Sequence, residues 1–284
     1  RVYHIVINGA VDQHALADAR PCSELPEQVS THMQLKRNNA TIDYNVYGSG
    51  STSLLLTHGY SGTQKMWDPQ LAALAENYQV ITWDAVGHGA SDSPANPERY
   101  SCTETLQDMA ALLEAVGVEQ AVIGGLSMGG YLSLAFHAAF PDRTRALILA
   151  DTGPGYRKDE AREQWNKMAR GRAKYFRLRG LDELEAGDPA HGDTHRSAEG
   201  LALAAEHLLV QHDGHVMASL PDIKVPVLVI VGENDTPFIQ PSEYMAAKIP
   251  AAELIILPDA GHVANIDNPE LFNKSVVGFL QKLA

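Results

Sequence analysis

The sequence predicts an α/β fold, with a mostly parallel sheet, helices on both faces and one inserted helical segment. Short, nearly continuous apolar runs such as residues 52–57, 79–84 and 120–126 recur along the chain, as expected of strands buried on both faces. The first two end in glycine-rich loops, the third in a glycine-flanked turn, and helical patterns follow, the alternation that builds parallel sheets. That rhythm stops at Thr152 and returns at Val225, so residues 153–221 carry helical periodicity and no convincing strand. The expected organisation is therefore a weakly structured leader over 1–30, an α/β core over 31–152 and 222–284, and a helical insertion over 153–221.

In chain order, residues 1–30 mix small, acidic and proline positions without a period. Residues 33–37 and 41–47 alternate around Asn38-Asn39, a hairpin turn signal. A strand over 52–57 leads to a helix over 64–76, and a strand over 79–84 follows. A helix over 102–116 takes Ser101 or Thr103 as N-cap and ends at Gly117. The strand over 120–126 feeds a helix over 128–140, which Pro141 stops, and another strand covers 144–151. Helical stretches over 158–178, 197–210 and 214–220 make up the insertion. A strand over 225–231, a helix over 242–248, a strand over 253–257 and a helix over 269–283 complete the core.

The chain has 284 residues and a formal net charge of −13. At that length it can bury a sizeable core, and its acidity disfavours a nucleic-acid partner. No stretch approaches the ~18 apolar residues of a membrane span. Cys22 and Cys102 resemble neither a metal cluster nor a disulfide framework. Free thiols are the expectation for both, pointing to a cytoplasmic monomer or homodimer whose partner is a small molecule.

The most informative stretch is Gly125-Leu126-Ser127-Met128-Gly129. An apolar run enters it and a helical pattern leaves it, so Ser127 sits at a strained strand-to-helix turn with its hydroxyl above the sheet. Glycines flank the turn because a Cβ there would strike the neighbouring strand or helix. A serine hydroxyl needs a general base, and the base needs an orienting group. Functional groups of open parallel sheets gather beyond the carboxyl ends of strands, and Asp235 and His262 both follow strands. The reading is that Ser127 attacks a carbonyl carbon, His262 takes its proton and Asp235 orients the imidazole. Asp151 also ends a strand and is the competing acid; its other role would be to hold the hinge of the insertion. The tetrahedral oxyanion needs two donors. Met128 supplies one backbone N–H at its helix start, and Tyr60, in the loop after residues 52–57, is the best candidate for the other.

From about Met33 onward the chain resembles the α/β-hydrolase superfamily. The matching pieces are His58-Gly59-Tyr60, Asp84-x-x-Gly87-His88-Gly89-x-Ser91, Gly125-x-Ser127-x-Gly129-Gly130, Gly232-x-x-Asp235 and Gly261-His262. The resemblance implies an eight-stranded sheet, the Ser127–His262–Asp235 triad and a cap domain after the sixth strand. It fixes no substrate, because one scaffold hosts many chemistries. Serine at the nucleophile position argues against the dehalogenase and epoxide hydrolase branches, which use a carboxylate there. The expected activity is cofactor-independent hydrolysis of a carboxylic ester or lactone through an acyl-enzyme on Ser127. Carbon–carbon bond hydrolysis, thioester hydrolysis and perhydrolysis use the same triad, and a ligand sensor is the competing reading from another class. Substrate contacts are expected from Tyr60 and, in the insertion, from Trp165, Met168, Tyr175 and Phe176.

Other features have plainer readings. His88, in a tight glycine loop, is structural, and Trp67 and Trp83 pack the core. His191, His195, His207, His212 and His215 lack a carboxylate-rich ligand set, so no metal is expected. The basic run from Arg157 to Arg179 reads as a solvated helix face rather than an anion-attracting pocket lip, with Ala161, Trp165, Met168 and either Arg172 or Phe176 on its buried side.

Overall fold

The computed structural model describes residues 4–6, 30–182, 184 and 195–283. Cys22, His191 and most of the 1–30 leader lie outside the described residues; Cys102 is a free thiol. The strands are β1 (His4–Val6), β2 (Thr31–Arg37), β3 (Ala40–Tyr47), β4 (Ser53–Thr57), β5 (Gln79–Trp83), β6 (Ala121–Leu126), β7 (Thr144–Ala150), β8 (Val227–Gly232) and β9 (Ala252–Leu257). They form one sheet in the order β1-β9-β8-β7-β6-β4-β5-β3-β2. Pairing is antiparallel for β2–β3 and β3–β5 and parallel elsewhere. The expected eight strands are β2 to β9. The additional strand β1 falls within the segment read as weakly structured and extends the sheet beside β9, with Ile5 opposite Ile255.

The helices are α1 (Asp68–Ala75), α2 (Cys102–Ala115), α3 (Met128–Ala139), α4 (Asp159–Arg179), α5 (Ala198–His207), α6 (His215–Ser219), α7 (Thr236–Lys248), α8 (Ala264–Asp267) and α9 (Pro269–Gln281). Alternation along the buried strands sends neighbours to opposite cores. Leu55, Ile123, Leu147 and Leu149 join α2, α3 and α7 on one face. Leu54, Leu56, Val122 and Ile148 join α1 and α9 on the other, with Trp67 and Phe272 among the largest side chains there. Trp67 and Trp83 are fully buried, as their core reading requires.

Two boundaries differ from the sequence reading by four residues or more. Residues 64–67 form a 3-10 turn before α1. Helix α7 begins at Thr236, six residues earlier than expected, with Pro241 inside it. Pro237 occupies the first turn, where a missing N–H costs nothing. Between β7 and β8 the described residues carry α4, α5 and α6 and no strand. Among the described residues no helix is long and apolar enough to cross a membrane.

Candidate active site

Six strands run parallel from β4 to β9, so the loops after their carboxyl ends emerge on one side of the molecule. Ser127 follows β6 directly, Asp151 follows β7, Asp235 lies three residues after β8 and His262 five after β9. The turn at Ser127 is strained, with φ 54°, a conformation disfavoured for a residue with a Cβ. It is also too tight for side chains beside it. A Cβ on Gly125 would lie 2.3 Å from the backbone carbon of Gly129, and one on Gly129 would lie 2.1 Å from the Thr57 carbonyl oxygen.

Ser127 Oγ is 3.0 Å from His262 Nε2, and His262 Nδ1 is 2.9 Å from Asp235 Oδ2. A carboxylate can only accept, so Nδ1 carries the proton and Nε2 faces the serine hydroxyl as an acceptor. Phe238 stacks on the imidazole with centroids 4.9 Å apart. The His262 loop is itself braced: Gly261 N–H donates to Asp267 Oδ2 at 2.7 Å and Asp259 N–H to Glu233 Oε1 at 2.7 Å. This geometry separates the two candidate acids. Asp151 makes no hydrogen bond to His262; its oxygens accept from Gly232 N–H at 2.9 Å and Ala264 N–H at 3.2 Å. Burial holds its carboxyl well above the usual carboxylate range, and the adjacent Asp235 charge pushes the same way. Asp151 thus ties the end of β7 to β8, after which Asp235 follows, and to α8, which the His262 loop enters.

The two candidate amides are brought together by strand register. Thr57 of β4 lies opposite Gly125 of β6, so Tyr60 and Met128, each three residues further on, leave adjacent strands side by side. Both line the cavity with Ser127. As the first residue of α3, Met128 has no carbonyl four residues back to accept its N–H. The Gly59–Tyr60 peptide is held by His58, whose Nε2 accepts from Ala85 N–H at 3.0 Å and whose Nδ1 therefore donates to the Gly59 carbonyl at 2.7 Å. His88 is fully buried beside it, with ring centroids 4.8 Å apart, in the structural role expected of it.

The cavity over Ser127 holds about 510 Å³, within the size range of small-molecule sites. Of the residues expected to contact substrate, Tyr60, Trp165 and Met168 line it; Tyr175 and Phe176 do not. Phe176 is instead buried with Ala173, Leu201, Ala202 and Ala205 at the α4–α5 contact, and Tyr175 sits outside against its ring. Both lie one turn beyond the stretch of α4 that faces the cavity. Three aromatic lining residues escaped the sequence reading: Tyr131, Tyr156 and Phe238. Tyr131, one helical turn after Ser127, and Phe238, three residues after Asp235, could have been found from helical spacing alone. The basic run is mostly solvent-facing, and Arg177 bridges Glu199 and Glu206 of α5. Arg172, one of the two alternatives expected on the buried side, reaches the cavity, where it is the only lysine or arginine among the described lining residues.

The sequence profile of the alpha/beta hydrolase family matches residues 54–275. The chain is 30% identical to 3-oxoadipate enol-lactonase 2 of Acinetobacter baylyi, over 87% of this chain and 96% of that one. Among solved structures, an enol-lactonase from Burkholderia xenovorans LB400 aligns at TM-score 0.71 and 27% identity, covering 88% of this chain and 100% of that one. A thermophilic esterase from Thermogutta terrifontis, solved with malate bound, aligns at TM-score 0.76 and 26% identity, covering 89% and 99%. With a family match over most of its length and relatives that are hydrolases, the chain belongs to the alpha/beta hydrolase family.

Proposed function

We propose that the protein is a serine hydrolase that cleaves a carboxylic ester or lactone carrying a carboxylate group elsewhere on the molecule. The observation that carries the reading is the Ser127–His262–Asp235 relay, with spacings of 3.0 and 2.9 Å, on the wall of the cavity. Ser127 Oγ attacks the carbonyl carbon while His262 Nε2 accepts its proton. The amides of Met128 and Tyr60 donate to the carbonyl oxygen as it gains charge. The carbon–oxygen bond to the leaving group breaks, and the departing oxygen takes the proton from His262. Water then repeats the attack on the acyl-enzyme, His262 again relaying the proton, and the free acid leaves. Asp235 keeps the imidazole in the reactive tautomer and balances its charge. Helices α4 to α6 serve as the cap that shapes the cavity.

The carboxylate requirement comes from Arg172. Arg172 lines the cavity, and no ion pair among the described residues engages it. A substrate carboxylate is the natural partner for a planar cation beside an otherwise largely apolar wall. The relatives' names fit, since 3-oxoadipate and malate are both carboxylates. The test is a panel of p-nitrophenyl esters from acetyl to octanoyl with several lactones, run against Ser127→Ala. Turnover that disappears in the variant is expected; turnover that survives it would overturn the assignment.

A further inference from the structure

The loop that carries Tyr60 is gripped from two sides. On the core side, His58 holds the Gly59–Tyr60 peptide. On the other side the contacts come from the inserted segment. His195 is buried, its Nδ1 accepting from Gly89 N–H at 3.0 Å and its Nε2 2.9 Å from the Ser61 carbonyl oxygen. A backbone N–H can only donate, so Nδ1 is the acceptor and the proton sits on Nε2, pointed at Ser61. Ser61 needs such a hold, because it is a non-glycine residue at φ 58°. A second tie runs from the Tyr60 hydroxyl to the Leu201 carbonyl of α5 at 2.9 Å. His88 fills the space between, 5.9 Å from His195 and 5.7 Å from Tyr60 by ring centroids.

We propose that His195 is a positioning residue through which the inserted segment completes the oxyanion site. It locks the left-handed Ser61 turn, and with the Tyr60 hydroxyl it fixes the direction of the Tyr60 amide. The inference rests on the reading of Tyr60 N–H as an oxyanion donor. Its consequence is that the insertion does more than shape the cavity: undocking it releases one of the two donors. The effect falls on the transition state, where the oxyanion exists, and spares ground-state binding.

The experiment compares wild type with His195→Phe and His195→Gln, with kcat and KM measured on a p-nitrophenyl ester and sites counted by fluorophosphonate titration. Phenylalanine keeps the ring volume and loses both hydrogen bonds, whereas the glutamine amide offers one donor and one acceptor. His195→Phe is expected to lower kcat per titrated site by about 10-fold or more with KM nearly unchanged, and slow fluorophosphonate labelling in parallel. His195→Gln is expected to recover most of that loss. A His195→Phe protein with wild-type kcat, or one whose loss lies wholly in KM, would overturn the proposal while leaving the hydrolase reading intact. A wild-type protein that neither turns over esters nor reacts with the fluorophosphonate would overturn both. Should His195→Phe fail to fold, Tyr60→Phe carries the test: kcat falling severalfold at constant KM supports the coupling, and unchanged kcat refutes it.

Discussion

Replacing Arg172 by methionine keeps the length and apolar stem of the side chain and removes its charge. A hydrogen bond to a charged group contributes about 1.5–3 kcal/mol when well shielded. Arg172 is more than a third exposed, so screening reduces this to about 1–2 kcal/mol. At 1.4 kcal/mol per factor of ten, kcat/KM for a carboxylate-bearing ester should drop about 5- to 30-fold. The assay pairs mono-p-nitrophenyl adipate, which ends in a carboxylate, with p-nitrophenyl hexanoate, which ends in a methyl group. Only the first should suffer, and mainly through KM, since the carboxylate is held equally in the ground and transition states. The wild-type preference should also shrink with added salt, because the screening length is about 8 Å at 0.15 M. Equal losses on the two esters, or no loss on either, would refute a carboxylate subsite at Arg172.

Asp235→Asn should lower kcat by about 10³–10⁴-fold, because the amide favours the wrong imidazole tautomer. Asp151→Asn should instead cost about 1–3 kcal/mol of stability, its amide facing a backbone N–H that the carboxylate accepted; steady-state kinetics with urea melts separates the two. Burial lowers the His58 and His88 pKa values below the ordinary imidazole value. The unfolded chain therefore binds more protons just below about pH 6.5, and stability, complete above that value, falls on acidification. The slope is at most about 1.4 kcal/mol per pH unit for each ring. Urea melts at pH 5.5 and 7.5 should show this loss, and His88→Phe should reduce it by one ring's share; an unchanged slope in the variant would contradict the assignment.

The strand-to-helix turn at Ser127 was legible because its constraint is local: glycines two residues either side, an apolar run before and a helix after. His262 was legible for a similar reason, sitting just past a strand in a loop opened by glycine. The choice between Asp235 and Asp151 was not fully legible. Both end strands, and only the fold reveals that the Asp151 oxygens are taken by the amides of Gly232 and Ala264 while Asp235 reaches His262. The cavity wall was hardest. Helical period told which residues of α4 share a face, but where along its length α5 replaces the cavity depends on contacts distant in sequence. Hence Trp165 and Met168 line the cavity while Phe176, further along the helix, is buried against Leu201 and Ala202. His195 read as one of several insertion histidines, since nothing near it in sequence announces that its partners are Gly89 and Ser61.

The central claim is that acyl transfer passes through a covalent bond to Ser127. Intact-mass and peptide-mass spectrometry of the protein quenched early in turnover of a slow p-nitrophenyl ester tests it most directly. One added acyl group per chain is expected, mapped to the peptide containing Ser127, and none in Ser127→Ala. An active protein that carries no acyl group under these conditions, or carries it on another residue, would contradict it.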